Sequence, residues 1–171
     1  MLYRGLGREA LDAAYDNTNA VGIKQRNAYI SDWVTRSEIV NNTWRPRCNI
    51  SYGSRPRQRL DVFSCGSAEA PTLLYIHGGY WQMGDKETYG FIGDAVLASG
   101  YNFVLVEYTL APEARMDEIV SEIHGAIDWV IANIDEYGGD PRRVFICGHS
   151  AGGHLTAMGM SDRRVAGGIA I

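Results

Sequence analysis

The chain has 171 residues, of which 46% are hydrophobic and 21% are charged, and its formal net charge is −4. Its arginines are scattered along the sequence, so the charge pattern does not favour nucleic-acid binding. No apolar run reaches membrane-spanning length, and the first residues show no apolar signal core, so we expect no membrane partner. Three cysteines (Cys48, Cys65 and Cys147) lack paired or metal-binding spacing. We therefore expect a single cytoplasmic domain over residues 1–171.

The first part of the chain has a helical pattern. Apolar residues recur at three- and four-residue spacings near residues 11–15 and again over about 22–40. We expect residues 1–45 to form a helical cap or flap over the sheet. Two short strands over 48–52 and 59–63 follow, and the turn-forming residues between them predict a hairpin.

From Pro71 onward, predicted strands and helices alternate. The continuously apolar segments 72–76, 103–106 and 144–147 are typical of strands covered on both faces of a sheet. The other expected elements are helices over about 86–99 and 116–137, a helix after Ser150, and a last strand over about 165–171. This order predicts an α/β fold with a mostly parallel sheet and helices on both faces.

The most informative motif is a Gly-x-Ser-x-Gly sequence with Ser150 at its centre. It lies between an apolar strand and a helical segment, where a sharp strand-to-helix turn exposes a nucleophilic serine. The flanking Gly148 and Gly152 suit such a turn, because bulkier side chains there would clash. The motif therefore predicts Ser150 as a nucleophile.

A second motif, His77-Gly78-Gly79-Tyr80-Trp81, follows the predicted strand over 72–76. Cleavage of an ester or amide by a serine places negative charge on the former carbonyl oxygen, and preorganised N–H groups stabilise that charge. The glycines let the backbone turn its amides inward. We expect the amides of Gly79 and Tyr80 to form an oxyanion hole together with the Ala151 amide. The Gly78 amide ranks next among the candidate donors.

Together these motifs, with the segments 107–113 and 139–141, resemble the kynurenine formamidase (arylformamidase) family of hormone-sensitive-lipase-like α/β-hydrolases. The resemblance covers the chain from Tyr3 to its last residue. It implies an α/β-hydrolase fold, hydrolysis of N-formyl-kynurenine to kynurenine and formate through a formyl-Ser150 intermediate, and no metal or organic cofactor. It also places Tyr80 and Trp81 beside the substrate, although Trp81 serves equally well as a hydrophobic plug under the N-terminal helices.

In that family the catalytic acid and histidine follow two further strands and helices, which have no counterpart among these 171 residues. A complete domain would need about a hundred more residues. None of the four histidines is expected to replace the missing base. His154 could line the pocket, His77 more plausibly organises its own loop, His149 should point away from Ser150, and His124 should lie on a helix surface.

Two acidic residues lie near strand ends. Asp140 precedes the strand of Ser150, at the wrong end of the sheet for catalysis, whereas Glu107 is placed to brace the oxyanion loop or the surroundings of Ser150. We therefore expect the chain alone to be weakly active or inactive, because a serine without its base is a poor nucleophile. It could be a fragment, one half of an enzyme completed by a second chain, or a short paralogue, and its exposed last strand could promote homo-oligomers.

Three functions remain open from the sequence. The first is a serine hydrolase that acts on an aromatic formamide, and the second is a carboxylesterase for short-acyl esters. The third is a non-catalytic domain for binding or assembly, which the absent acid and histidine favour and the two intact motifs oppose.

Overall fold

The structure, a computed structural model, describes residues 3–171. Residues 1 and 2, which begin the predicted cap segment, lie outside the described residues. The helices are α1 (Arg8–Ala14), α2 (Asn17–Val21), α3 (Ile23–Trp44), α4 (Gly93–Ala98), α5 (Met116–Asn133) and α6 (Ala151–Gly159). The strands are β1 (Arg47–Ser51), β2 (Arg59–Phe63), β3 (Ala70–Ile76), β4 (Asn102–Val106), β5 (Gly139–Gly148) and β6 (Gly167–Ala170).

The strands form one sheet in the order β1-β2-β4-β3-β5-β6. The β3–β4, β3–β5 and β5–β6 pairs are parallel, whereas β2 pairs antiparallel with both β1 and β4. The predicted hairpin and the mostly parallel sheet are thus confirmed. Ile76 of β3 lies beside both Val106 and Gly148. Because these parallel strands end level, the loops that follow them meet at one edge of the sheet.

Side chains that alternate along the strands build a core on each face of the sheet. One core packs β-strand residues such as Leu74 and Val104 against the buried stripe of α5 and against Leu155 of α6. The other packs Phe63, Tyr75 and Phe103 beneath α3 and α4. Helices therefore cover both faces, as the alternation of apolar segments predicts.

Two predicted helices differ from the observed structure. The helix predicted over about 116–137 is α-helical to Asn133 and continues as a 3-10 helix over Ile134–Tyr137. Instead of a single helix over about 86–99, a 3-10 helix over Glu87–Ile92 leads into α4. Two glycines of this segment lie close to neighbouring elements: an added Cβ would lie 3.1 Å from Ser37 Cβ at Gly90 and 2.6 Å from the Phe103 ring at Gly93. The segment thus packs tightly against α3 and β4.

The N-terminal helices join the domain mainly through α3. Ser37 Oγ accepts a hydrogen bond from the Phe91 amide and donates one to the Thr88 carbonyl. The Trp33 ring stacks on Phe91 with centroids 5.7 Å apart. These contacts fix α3 on the 3-10 helix, while the function of residues 1–45 as a cap stays a prediction. Within the described range, no helix has the length and apolar character needed to cross a membrane.

Candidate active site

Ser150 occupies the sharp turn between β5 and α6. Its backbone has φ 58° and ψ −118°, a conformation that L-residues rarely adopt, and its side chain is exposed. The neighbouring glycines allow this turn, because a Cβ on Gly148 would lie 2.3 Å from the Gly152 carbonyl oxygen. A Cβ on Gly152 would lie 2.0 Å from the Ile76 carbonyl oxygen. The turn is therefore strained and tightly packed, as at other sites where a side chain is held ready for chemistry.

The loop after β3 lies directly against this turn. A Cβ on Gly78 would lie 2.7 Å from the His149 carbonyl oxygen and 3.2 Å from Ser150 Cβ. Three consecutive residues, Gly79 to Trp81, have positive φ values of 119°, 53° and 58°. The Gly79 carbonyl accepts hydrogen bonds from the amides of Gln82 and Met83, which closes the turn. The fold thus brings together two motifs that are far apart in sequence.

The amides of Gly79, Tyr80 and Ala151 are available to a ligand. Among residues 3–171, none of these three N–H groups donates to a protein acceptor. Ala151 is also the first residue of α6, where the helix dipole presents partial positive charge. Backbone amides without an internal acceptor are the type of donor that stabilises a developing negative charge.

Aromatic side chains border the same region. Tyr80 is 69% exposed. Trp81 is half-buried, and its ring meets the His154 ring edge-on with centroids 5.3 Å apart. The Trp81 carbonyl accepts a hydrogen bond from the Ala111 amide, which ties this loop to the one after β4. Trp81 also packs against the core on the α5 side of the sheet, so it contributes to both the surface near Ser150 and the interior.

The histidines occupy four different environments. His77 is fully buried and His124 is half-buried on α5, whereas His149 and His154 are exposed. In the part of the chain that the structure describes, the Ser150 hydroxyl makes no hydrogen bond to any of them. Ser150 therefore has no imidazole positioned here to accept its proton.

Glu107 lies at the end of β4, beneath the loop after β3. Burial, the largest influence, raises the pKa of its carboxyl group, but hydrogen bonding and charge from His77 and the charge of Arg57 outweigh it. The pKa consequently lies below its ordinary value of 4.5. Asp140, by contrast, begins β5 at the opposite end of the sheet, where a hydrogen bond from Arg142 lowers its pKa.

Sequence reasoning placed Glu107 near this loop but missed the basic groups that accompany it. Lys86 is only 1% exposed, and its Nζ donates to Asp61 Oδ2 at 2.8 Å. Arg57 Nη2 donates to Glu107 Oε1 at 2.5 Å. Arg57 follows the turn-forming residues between two predicted strands and Lys86 starts a predicted helix, so no local pattern signalled their pairing or the burial of Lys86.

An apolar cavity with a volume of about 430 Å³ lies elsewhere. Leu73, Val96, Phe145 and Ile169 contribute to its wall, and neither the Ser150 turn nor the loop after β3 does. The candidate site is instead an open surface at the carboxyl ends of β3, β4 and β5.

Comparison with known proteins agrees with this geometry. The BD-FAE family matches residues 60–165. The chain is 33% identical over 136 residues to the kynurenine formamidase of Danio rerio, covering 78% of this chain and 45% of that protein. The alignment confirms the resemblance to that family.

Two solved structures share the fold. A candidate thioesterase from Silicibacter has a TM-score of 0.74 and 33% identity, covering 86% of this chain and 54% of that one. The carboxylesterase EstE1, cloned from a metagenomic library, has a TM-score of 0.65 and 28% identity, covering 84% and 53%. The chain therefore spans about half the length of these relatives. These structures confirm the α/β-hydrolase fold. Because the family match over residues 60–165 covers more than half of the chain, the chain belongs to the BD-FAE family.

Proposed function

We propose that this protein is a serine hydrolase in which Ser150 is the nucleophile and the amides of Gly79, Tyr80 and Ala151 form the oxyanion hole. The observation that carries the proposal is the contact between the two motifs, where a Cβ on Gly78 would lie 3.2 Å from Ser150 Cβ. Packing that close leaves no room for a side chain on Gly78. This close approach of the oxyanion loop to an exposed serine supports the proposal.

The chemistry follows from this arrangement. Ser150 Oγ attacks the substrate carbonyl carbon, and the carbonyl π electrons move to oxygen to give a tetrahedral oxyanion. Each amide donor that meets this oxygen contributes about 10²–10³ in rate. Collapse of the intermediate expels the protonated leaving group and leaves an acyl-serine, which water then hydrolyses to the acid and free Ser150.

The proton of Ser150 must be accepted by a base that residues 3–171 do not place beside it. We infer that the working enzyme takes its histidine and acid from other polypeptide, either further sequence of the same protein or a second chain. Loss of the base from such a triad costs about 10⁶ in kcat. Residues 1–171 alone should therefore turn over slowly.

The substrate proposed is an aromatic formamide, with N-formyl-kynurenine as its best representative. The named Danio rerio relative supports this choice, and so do Tyr80 and Trp81, whose faces can pack against an aromatic leaving group. A carboxylesterase for short-acyl esters is the second candidate, supported by the similarity to EstE1. Both candidates use the same nucleophile and oxyanion hole and differ in the leaving group.

The test compares hydrolysis of N-formyl-kynurenine and of a nitrophenyl acetate by the chain, with free imidazole supplied as a base. Ser150→Ala is the control, and its rate is subtracted as background. Ser150-dependent cleavage of the formamide in preference to the ester supports the formamidase, and the reverse preference supports the carboxylesterase. Equal rates for the chain and Ser150→Ala on both substrates would contradict the serine hydrolase proposal.

A further inference from the structure

A cluster of charged and polar side chains is buried beneath the loop after β3. We call it the buried charge cluster; its buried members are Asp61, His77, Lys86 and Glu107, and Arg57, whose side chain is 37% exposed, joins them from the surface. His77 is 0% exposed, Lys86 1%, Asp61 4% and Glu107 6%. Burying charge is costly unless every group is paired, so a cluster of this kind needs a structural or functional reason.

Glu107 is the centre of the cluster. Its Oε1 accepts hydrogen bonds from His77 Nε2 at 3.1 Å, Arg57 Nη2 at 2.5 Å and the Tyr108 amide at 3.1 Å. Its Oε2 accepts from the Lys86 amide at 3.1 Å. A single carboxylate therefore joins the loop between β1 and β2, the loop after β3, and the start of the 3-10 helix.

His77 connects the Glu107 carboxylate to the oxyanion loop. Its Nε2 faces the Glu107 carboxylate, while its Nδ1 lies 2.8 Å from the Gly78 carbonyl oxygen. The ring is also stacked on Tyr108, with centroids 4.4 Å apart, and the Tyr108 hydroxyl donates to the His77 carbonyl at 3.0 Å. The imidazole is thus held on both ring nitrogens and on one face.

The Gly78 carbonyl and the Gly79 N–H belong to the same peptide unit. In a planar trans peptide these two groups point in opposite directions. Holding the Gly78 oxygen against His77 therefore turns the Gly79 N–H to the opposite side of that peptide. The Gly78 carbonyl oxygen is also confined by Gly84, because a Cβ on Gly84 would lie 3.0 Å from that oxygen.

We propose that Glu107, acting through His77, is a positioning residue that orients the Gly79 amide of the oxyanion loop. The role of the Gly79 amide as an oxyanion donor rests on the proposed function. Its orientation follows from the contacts of Glu107, His77 and the Gly78 carbonyl. Glu107 touches neither Ser150 nor the site where substrate would bind, so its effect is transmitted entirely through the ring of His77 and the peptide of Gly78.

Two variants separate positioning from general stability. Glu107→Gln keeps the shape of the side chain but replaces one acceptor oxygen with an amide NH2 group. That group cannot accept the hydrogen bonds that the carboxylate oxygen accepts. Asp61→Asn is the matched control, because Asp61 is also a buried carboxylate partnered by Lys86 and makes no hydrogen bond to His77. Both should lower the free energy of unfolding.

NMR of the folded 171-residue chain, labelled with ¹⁵N in glycine, tyrosine and histidine, reports the orientation directly. In Glu107→Gln the Nε2–H signal of His77 and the amide signals of Gly79 and Tyr80 should shift or broaden, and in Asp61→Asn they should stay in place. Unmoved signals in Glu107→Gln, or equal movement in both variants, would overturn the proposal.

An acid titration of the unmodified chain serves if Glu107→Gln does not fold. The groups that face the Glu107 carboxyl are His77, Arg57, Tyr108 and the amide of Lys86. The Gly79 amide should move with the same midpoint as the ¹³C carboxyl signal of Glu107. A Gly79 signal that stays constant while Glu107 takes up its proton would refute the coupling.

Labelling of Ser150 by a fluorophosphonate links the proposal to function. We expect Glu107→Gln to label about 10- to 100-fold more slowly than Asp61→Asn at equal folded fraction, because one misdirected oxyanion donor typically costs about 10²–10³. If the unmodified chain is not labelled even with free imidazole supplied as the base, the proposed function fails. The NMR comparison, which needs no reaction, still decides the positioning role.

Discussion

Gly152→Ala tests the packing that creates the Ser150 turn. Gly152 lies in the first turn of α6, where a Cβ would lie 2.0 Å from the Ile76 carbonyl oxygen and 2.8 Å from that of His77. Because real Cβ contacts hardly ever fall below 3.0 Å, α6 and the end of β3 must separate by about 1.0 Å (3.0 − 2.0). Both contacts are with backbone, so no side chain can rotate away.

The magnitude follows from two opposing effects. Alanine in place of glycine favours a helix by about 1 kcal/mol. Overpacking of a rigid site costs about 1–3 kcal/mol, and backbone atoms push the cost to the upper end of that range. We expect a net loss of about 2 kcal/mol in the free energy of unfolding, which corresponds to a fall in Tm of about 4–8 °C for a chain of this size.

Gly125→Ala provides the matched control in another helix. Gly125 lies within α5, and the nearest atom to an added Cβ is Tyr52 Cδ2 at 3.9 Å, an ordinary contact. This substitution should raise the free energy of unfolding by about 0.5–1 kcal/mol. Urea denaturation of both variants and the unmodified chain gives the comparison. If Gly152→Ala were as stable as Gly125→Ala, the argument for a tightly packed turn would be wrong.

Three further predictions concern backbone strain and buried charge. Because Ser150 has φ 58°, Ser150→Gly should be more stable than Ser150→Ala by about 1 kcal/mol, measured by thermal unfolding; equal stability would argue against strain. The lowered folded-state pKa of Glu107 means that its stabilisation is present above its ordinary pKa of 4.5 and is lost as pH falls through the folded value. Glu107→Gln should therefore lose less stability than the unmodified chain between pH 5 and pH 3, and parallel curves would contradict this. Lys86→Met leaves the Asp61 carboxylate buried without its partner and should cost about 3–5 kcal/mol; adding Asp61→Leu should recover part of that loss, and strictly additive losses would exclude coupling between the two side chains.

The sequence was sufficient to predict most strands, the mostly parallel sheet and the candidate site residues, but not the strand order. Apolar runs such as that of β3 marked the buried strands, and glycines around Ser150 marked a turn that only small residues allow. The long helix α5 was predicted from its apolar stripe, because burial on one face leaves a clear periodicity. Glu107 was placed near the oxyanion loop because it ends a strand whose neighbours end at the same level.

Other features depend on contacts that local sequence does not encode. The 3-10 helix over Glu87–Ile92 and the start of α4 pack closely on Ser37 and Phe103, which come from distant segments. Lys86 starts the helix predicted over about 86–99, where no apolar pattern marks it as a core residue, yet it is buried against Asp61 from β2. Long-range pairing of this kind becomes visible only when the strands are assembled.

The most direct test of the central claim is the intact mass of the chain after treatment with a fluorophosphonate probe, with and without free imidazole. The account predicts a single adduct that forms slowly, forms faster with imidazole, maps to Ser150 and is absent from Ser150→Ala. A chain that stays unmodified at 18.9 kDa under all these conditions, or an adduct that persists in Ser150→Ala, would contradict the assignment of Ser150 as the nucleophile.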